Sequence, residues 1–198
     1  ERPDDPDFDP FEAYRNQLES RLHLLEPFRR RLVQVPFSLD HPYWINDPDF
    51  DLDFHVRHIA IPAPGTLEQL ATQVARIIGR PVDRSRPLWE VYVFEGLESG
   101  DFAVLTKVHH ATIDGASGVQ MLGRILDSHP EGDEIEADDG SWRPEEQPGD
   151  MEMLARTAAS FARTPGKLAR TQLRLLQDMA DITRQKGLST VIDAARRQ

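Results

Sequence analysis

The chain has 198 residues, 39% of them hydrophobic, which is enough for one or two packed domains and too much for a wholly disordered protein. Its 34 acidic against 23 basic residues give a formal net charge of −11, a balance that repels phosphate backbones and excludes general nucleic-acid binding. The absence of cysteine removes disulfides, thiolate metal sites and a thioester to the protein itself. No apolar run approaches the ~18 residues of a membrane span and no signal-peptide pattern opens the chain, so the expected location is the cytoplasm.

The first element opens at Asp9-Pro10-Phe11-Glu12, with a capping Asp, a proline at the first helical position and a Glu placed to close a capping box. Phe11, Tyr14, Leu18, Leu22 and Leu25 then recur at helical spacing up to Pro27. Arg31 to Val35 reads as a short strand, Pro36 to Asp53 as a long surface loop, and His55 to Ile61 as a second strand. Thr66 with Gln69 forms another capping box ahead of a helix whose face is Leu67, Leu70, Val74 and Ile77, ended by Gly79 and Pro81.

Trp89 to Glu95 and Phe102 to His109 are β-prone runs joined by a Gly-containing turn, which predicts an antiparallel hairpin. A third helix is expected from about Ala116, with Val119, Leu122 and Leu126 inward. Helices mixed with strands in this order indicate an α/β, or layered α+β, domain. Asp127 to Asp150 then holds ten acidic residues and three prolines, the composition of a linker that cannot order itself. The expected organisation is therefore a lobe over 1–127, an acidic disordered linker over 128–150, and basic amphipathic helices over 151–198. Residues 151–198 carry a net charge of +5, leaving −16 for residues 1–150. A helix is expected to start at Thr164-Pro165, with Lys167, Arg170 and Arg174 as a basic stripe. Because the chain opens on Glu1 and stops at Ala194-Ala195-Arg196-Arg197-Gln198 inside a helical pattern, it is expected to be a piece of a longer protein.

The chemically pointed segment is His109-His110-Ala111-Thr112-Ile113-Asp114-Gly115, between the predicted hairpin and the third helix. Adjacent histidines on a strand face opposite ways, so this pair does not read as a metal site, and none is expected elsewhere. Two readings of the residues remain: a hydrogen-bonded pair with Asp114 capping the next helix, or a catalytic histidine.

His109 to Gly115 resembles the HHxxxDG signature of the coenzyme A-dependent acyltransferase superfamily, which includes chloramphenicol acetyltransferases, plant BAHD acyltransferases and peptide-synthetase condensation domains. Asp83-Arg84-Ser85-Arg86-Pro87-Leu88-Trp89-Glu90, with Glu95-Gly96-Leu97 behind it, resembles the PLW motif of bacterial wax ester synthase/diacylglycerol acyltransferases. Weaker likenesses lie in Pro27-Phe28-Arg29-Arg30-Arg31-Leu32 and His55-Val56-Arg57, so the resemblance covers residues 10 to 127; Val82, where many relatives have Leu, is a mild apolar departure.

The resemblance implies a chloramphenicol acetyltransferase-like lobe, with a mixed, largely antiparallel sheet and flanking helices. It implies that His110 is the general base that passes a fatty acyl group directly from acyl-CoA to diacylglycerol or a long-chain alcohol, making triacylglycerol or wax ester with no cofactor. By the same likeness His109 packs behind the base, with assistance to the loop or the acceptor as the alternatives, Asp114 braces the loop through an arginine ion pair, Gly115 leaves room for substrate, and Pro87, Leu88 and Trp89 are structural. Such a lobe implies a partner in the carboxy-terminal half of the same precursor, and lipid substrates imply peripheral contact with the inner membrane or a lipid droplet. Twenty arginines to three lysines suit a high-GC bacterial genome. Two alternatives stay open: a condensation-domain-like enzyme acting on carrier-protein thioesters, and a non-catalytic lipid-droplet or scaffold protein of the same fold.

Overall fold

The computed structural model describes residues 7–113, 115–127, 129 and 132–163. The chain forms two compact units, one built from residues 1–34 and 42–147 and the other from residues 35–41 and 148–198. Each buries apolar faces locally, and the first unit carries the motifs.

Helix α1, Pro10–Arg21, starts where expected because the Asp9 carboxylate accepts from the amides of Phe11 (2.9 Å) and Glu12 (3.1 Å). It ends at Arg21, earlier than the periodicity suggests, and the chain continues through short 3₁₀ turns at Leu22–Leu24 and Glu26–Arg29. Leu18, Leu22 and Leu25 are buried all the same, because a 3₁₀ turn keeps the apolar side chains on the side facing the sheet. Strand β1, Arg30–Val33, pairs antiparallel with β2, Tyr43–Asn46. The stretch read as one loop, Pro36 to Asp53, thus contains a strand.

Leu52–His55 is a single helical turn, α2, capped by Asp51 and followed directly by β3, Val56–Ala60. Helix α3, Leu67–Ile78, has the expected capping box, with Thr66 and Gln69 bonding each other's backbone at 3.2 and 2.8 Å. Strand β4, Trp89–Glu95, runs parallel to β3 and antiparallel to β5, Ala103–Val108, giving the order β3-β4-β5. The lobe is therefore the expected mixed α/β architecture, with the hairpin in place. Strand β4 is its centre. Trp89 and Val91 pack with Leu18, Leu25, Phe28, Met121 and Ile125, while Tyr92 and Phe94 pack with Ile61 and Ile77 on the other face. Lys107 ties the layers together by donating to the Ile77 carbonyl at 2.9 Å, near the end of α3.

The loops after β3 and β4 meet backbone to backbone. Ile61 N–H donates to the Glu95 carbonyl (2.8 Å) and Glu98 N–H to that of Gly65 (3.0 Å). Gly65 has φ +78°, and a Cβ there would lie 2.0 Å from the Gly96 carbonyl oxygen. Gly65→Ala is expected to lower stability by about 1–3 kcal/mol, read as a shift of the urea midpoint with an unchanged slope.

Helix α4, Gly115–Ile125, begins one residue earlier than expected and shows a different face to the core. Met121 (7% exposed) and Ile125 (1%) are buried, whereas Val119 (72%), Leu122 (47%) and Leu126 (49%) point outward. The apolar arc of this helix spans nearly half a turn, and the lobe covers only one edge of it. Its end is held to α1 by polar contacts: buried Arg21 donates to the Ile125 carbonyl (2.8 Å) and pairs with Asp127, and Gln17 donates to the same carbonyl at 2.9 Å.

Of the segment expected as an acidic linker, residues 132–149 contain neither helix nor strand. Asn46 holds part of it: the Glu145 N–H donates to the Asn46 carbonyl (3.0 Å), and the Asn46 side-chain amide donates to the Arg143 carbonyl (2.8 Å). In the second unit a 3₁₀ turn, Pro36–Ser38, packs with helix α5, Asp150–Arg163, in which Met153 and Thr157 are buried. Helix α5 starts well before Thr164. The helix expected from Thr164, with Lys167, Arg170 and Arg174, lies outside the described residues.

Candidate active site

Strand β5 ends at Val108 because the chain turns at once through residues 110–112. The turn is fixed by three hydrogen bonds from its own atoms. His109 N–H donates to the Leu88 carbonyl (2.9 Å), Thr112 N–H to the His109 carbonyl (2.9 Å), and Ala111 N–H to His109 Nδ1 (3.1 Å). Since a backbone N–H can only donate, Nδ1 of His109 is the unprotonated nitrogen in this arrangement, and the ring is oriented by the turn itself. His109 is half-buried and His110 exposed. The pair therefore lies beyond the end of the strand, and the two histidines differ in exposure.

The first of these bonds joins two motifs far apart in sequence. Pro87-Leu88-Trp89 opens β4, and its Leu88 carbonyl carries the histidine turn. Leu88 and Trp89 are fully buried, with the Trp89 indole stacked on Phe28 (4.4 Å between centroids) and donating from Nε1 to the Phe28 carbonyl at 2.8 Å. Upstream, the Asp83 carboxylate accepts from both the amide and the hydroxyl of Ser85 at 2.8 Å, closing the turn that leads into β4.

On the other side of Trp89 lies His55, fully buried and stacked at 4.3 Å, its Nδ1–H donating to the Trp89 carbonyl at 2.8 Å. Its Nε2 is buried with no hydrogen-bond partner among the described residues. Burial holds the His55 pKa below the ordinary value, so folding requires the neutral ring. The stability this provides is complete above about pH 6.5, where an unfolded histidine is also neutral, and is lost as pH falls toward the depressed folded value. Between about pH 7 and about pH 5 the melting temperature is expected to fall less in His55→Phe, which keeps a stacked ring but cannot titrate, than in the parent protein.

Gly115 is the first residue of α4, directly after the motif's aspartate position; Asp114 itself, with the ion pair expected of it, lies outside the described residues. Beside the turn is a cavity of about 280 Å³ whose wall includes Leu24, Leu25, Pro27, Thr112, Ile113 and Met121. Thr112 Oγ1 is buried without a hydrogen-bond partner among the described residues. Neither this hydroxyl nor the cavity was anticipated; the walls come from segments about ninety residues apart, and no periodicity links them. Among the described residues no three His, Asp or Glu side chains converge as metal ligands, and no helix is long and apolar enough to cross a membrane.

Residues 1–197 match the model of the wax ester synthase/diacylglycerol acyltransferase catalytic domain. The chain belongs to that family. A Mycobacterium tuberculosis relative named as a diacylglycerol O-acyltransferase is 38% identical over 181 residues, which are 91% of this chain and 38% of that protein. A second from the same organism, carrying the same activity in its name, is 45% identical over 116 residues, 59% of this chain and 25% of that protein. Among solved structures, the wax ester synthase/diacylglycerol acyltransferase from Marinobacter aquaeolei VT8 is 34% identical with a TM-score of 0.50, covering 63% of this chain and 31% of its own. The chain thus spans less than half the length of these relatives. Family membership and the mixed α/β lobe agree with what the HHxxxDG and PLW blocks imply, and the PLW block lies where it supports the histidine turn.

Proposed function

We propose that this chain carries the base-bearing lobe of an O-acyltransferase that moves a fatty acyl group from acyl-CoA to the hydroxyl of diacylglycerol or of a long-chain alcohol. The observation that carries this reading is the histidine turn: one exposed imidazole, His110, on a turn shaped by backbone bonds, two residues before Thr112, which lines a cavity with both apolar and polar walls. A neutral hydroxyl is a weak nucleophile, and its proton must leave as it attacks. His110 takes that proton while the hydroxyl oxygen bonds to the thioester carbonyl carbon. The tetrahedral intermediate collapses, the C–S bond breaks, and His110 returns the proton to the departing coenzyme A thiolate. Ester and free coenzyme A are the products. No acyl-enzyme forms, in keeping with a chain without cysteine, and no cofactor enters.

His109 positions the turn through Nδ1, Asp114 braces it through an arginine, and Gly115 keeps the entrance to α4 open to substrate. The outward side of α4, with Val119, Leu122 and Leu126 exposed, is covered by the carboxy-terminal part of the longer polypeptide, which completes the site. The acceptor is drawn from a membrane or droplet surface, where such lipids partition. The reading is tested by expressing this chain together with the carboxy-terminal part of a family member and measuring acyl-CoA-dependent ester formation on diacylglycerol and on hexadecanol. Ester on either acceptor supports it, and no ester on both, from a folded complex, overturns it.

A further inference from the structure

Three arginines follow one another at the start of β1, and two are spoken for. Arg30 pairs with Glu26, and Arg31 meets the buried Asp47 carboxylate at 2.8 Å. Arg29 differs. Among the described residues its guanidinium makes no hydrogen bond or ion pair, and it lies over the Trp142 ring, 4.9 Å from the centroid. Among the described residues, Arg29 Nε and Trp142 Nε1 are both buried donors without an acceptor. Burial pushes the Arg29 pKa down, with only longer-range compensation from Asp138 and Glu26.

The two side chains stand on a wall shared by two cavities. One, of about 480 Å³, has Leu22, Phe50 and Leu52 in its wall together with the acidic Glu19, Asp51 and Asp53, which makes it the less suitable of the two for an anion. The other, of about 450 Å³, is bounded by His23, Asn46, Ser141 and Arg124. This second cavity shares Leu24, Glu26 and Arg124 with the smaller cavity beside Thr112. Arg124 donates to the Leu24 carbonyl at 2.7 Å through one nitrogen and keeps its charge on this wall.

Two buried donors from different side chains, one of them on a partly desolvated cation, call for a ligand that presents several acceptor oxygens at once. A carboxylate is planar and suits one guanidinium fork. A phosphate is tetrahedral and can accept from an arginine edge and an indole while remaining close to a second arginine. We propose that Arg29 and Trp142 anchor the phosphate of an organic phosphate ester in the cavity bounded by Arg124.

Coenzyme A and an anionic phospholipid headgroup both supply that chemistry. In the first case the inference deepens the acyl-transfer reading and rests on it, placing the nucleotide end of the donor beyond the cavity beside the histidine turn. In the second it stands apart from that reading. The test uses the complex with the carboxy-terminal part, as in the activity assay, and reads binding without turnover. Calorimetry with coenzyme A forms one arm, and sedimentation with phosphatidylcholine vesicles, with and without phosphatidylglycerol, forms the other.

Saturable binding is expected in one arm. Arg29→Gln should weaken it about tenfold or more, and Trp142→Phe, which keeps the ring and loses the donor, by severalfold. Arg29→Lys, with the charge but not the planar edge, should fall between parent and Arg29→Gln and serves if Arg29→Gln fails to fold. Binding of coenzyme A assigns the nucleotide source, and phosphatidylglycerol-dependent sedimentation assigns the headgroup. The His110→Ala protein should bind either probe like the parent, so loss of the acyl-transfer reading leaves this result intact. No saturable binding in either arm, or unchanged binding by the folded variants, overturns the proposal.

Discussion

His110→Ala is expected to lower acyl transfer by about 10²–10⁴-fold, the usual cost of a lost general base, while the melting temperature stays near that of the parent. The separation of the two effects follows from the turn. His110 is exposed, and the bonds that shape residues 109–112 run from the backbone of His109, Ala111 and Thr112 and from the ring of His109. His109→Ala removes one acceptor, at Nδ1, and loosens the presentation of its neighbour without deleting the base. Steady-state kinetics of the two variants, in the complex with the carboxy-terminal part, distinguish them: loss in kcat for His110→Ala, and a smaller loss for His109→Ala. Equal rates for His110→Ala and parent remove His110 from the chemistry.

Trp89→Ala should lower stability by about 3–5 kcal/mol, the range for emptying a buried aromatic site. The indole is fully buried between Phe28 and His55, and its Nε1 satisfies the Phe28 carbonyl. Its loss leaves a cavity and an unpaired acceptor together. Trp89→Phe refills most of the volume and isolates the second effect, so its cost should be clearly smaller. Urea unfolding of both variants gives the comparison, and a Trp89→Ala value below about 1 kcal/mol would show that the PLW block is not a packing centre.

The elements that follow one physical rule were legible in the amino-acid sequence. Asp9 and Thr66 carry caps because each precedes a helix with unpaired amides, and the Trp89–Glu95 and Ala103–Val108 runs pair across a glycine turn. The place of the histidine turn followed from the hairpin that precedes it. Strand β2 was hidden because Tyr43–Asn46 is only four residues long, set among prolines and aspartates that read as loop. In α4 the spacing identified an apolar arc, yet Met121 and Ile125 face the core while Val119, Leu122 and Leu126 do not. Periodicity reports which residues share a side; it does not report which side meets the core when both are apolar. Residues brought together from distant segments, such as Arg29 with Trp142 or His109 with Leu88, leave no periodic trace at all.

The proposed reaction passes the acyl group directly from a thioester to a lipid hydroxyl, with no covalent stage on the protein. Its most direct test is to give the complex radiolabelled acyl-CoA, with and without diacylglycerol, and to separate neutral lipid, free fatty acid and protein after acid quenching. Label is expected in triacylglycerol only when the acceptor is present, and none on the protein band. Label retained on the protein, or released as fatty acid at the same rate without acceptor, would contradict it.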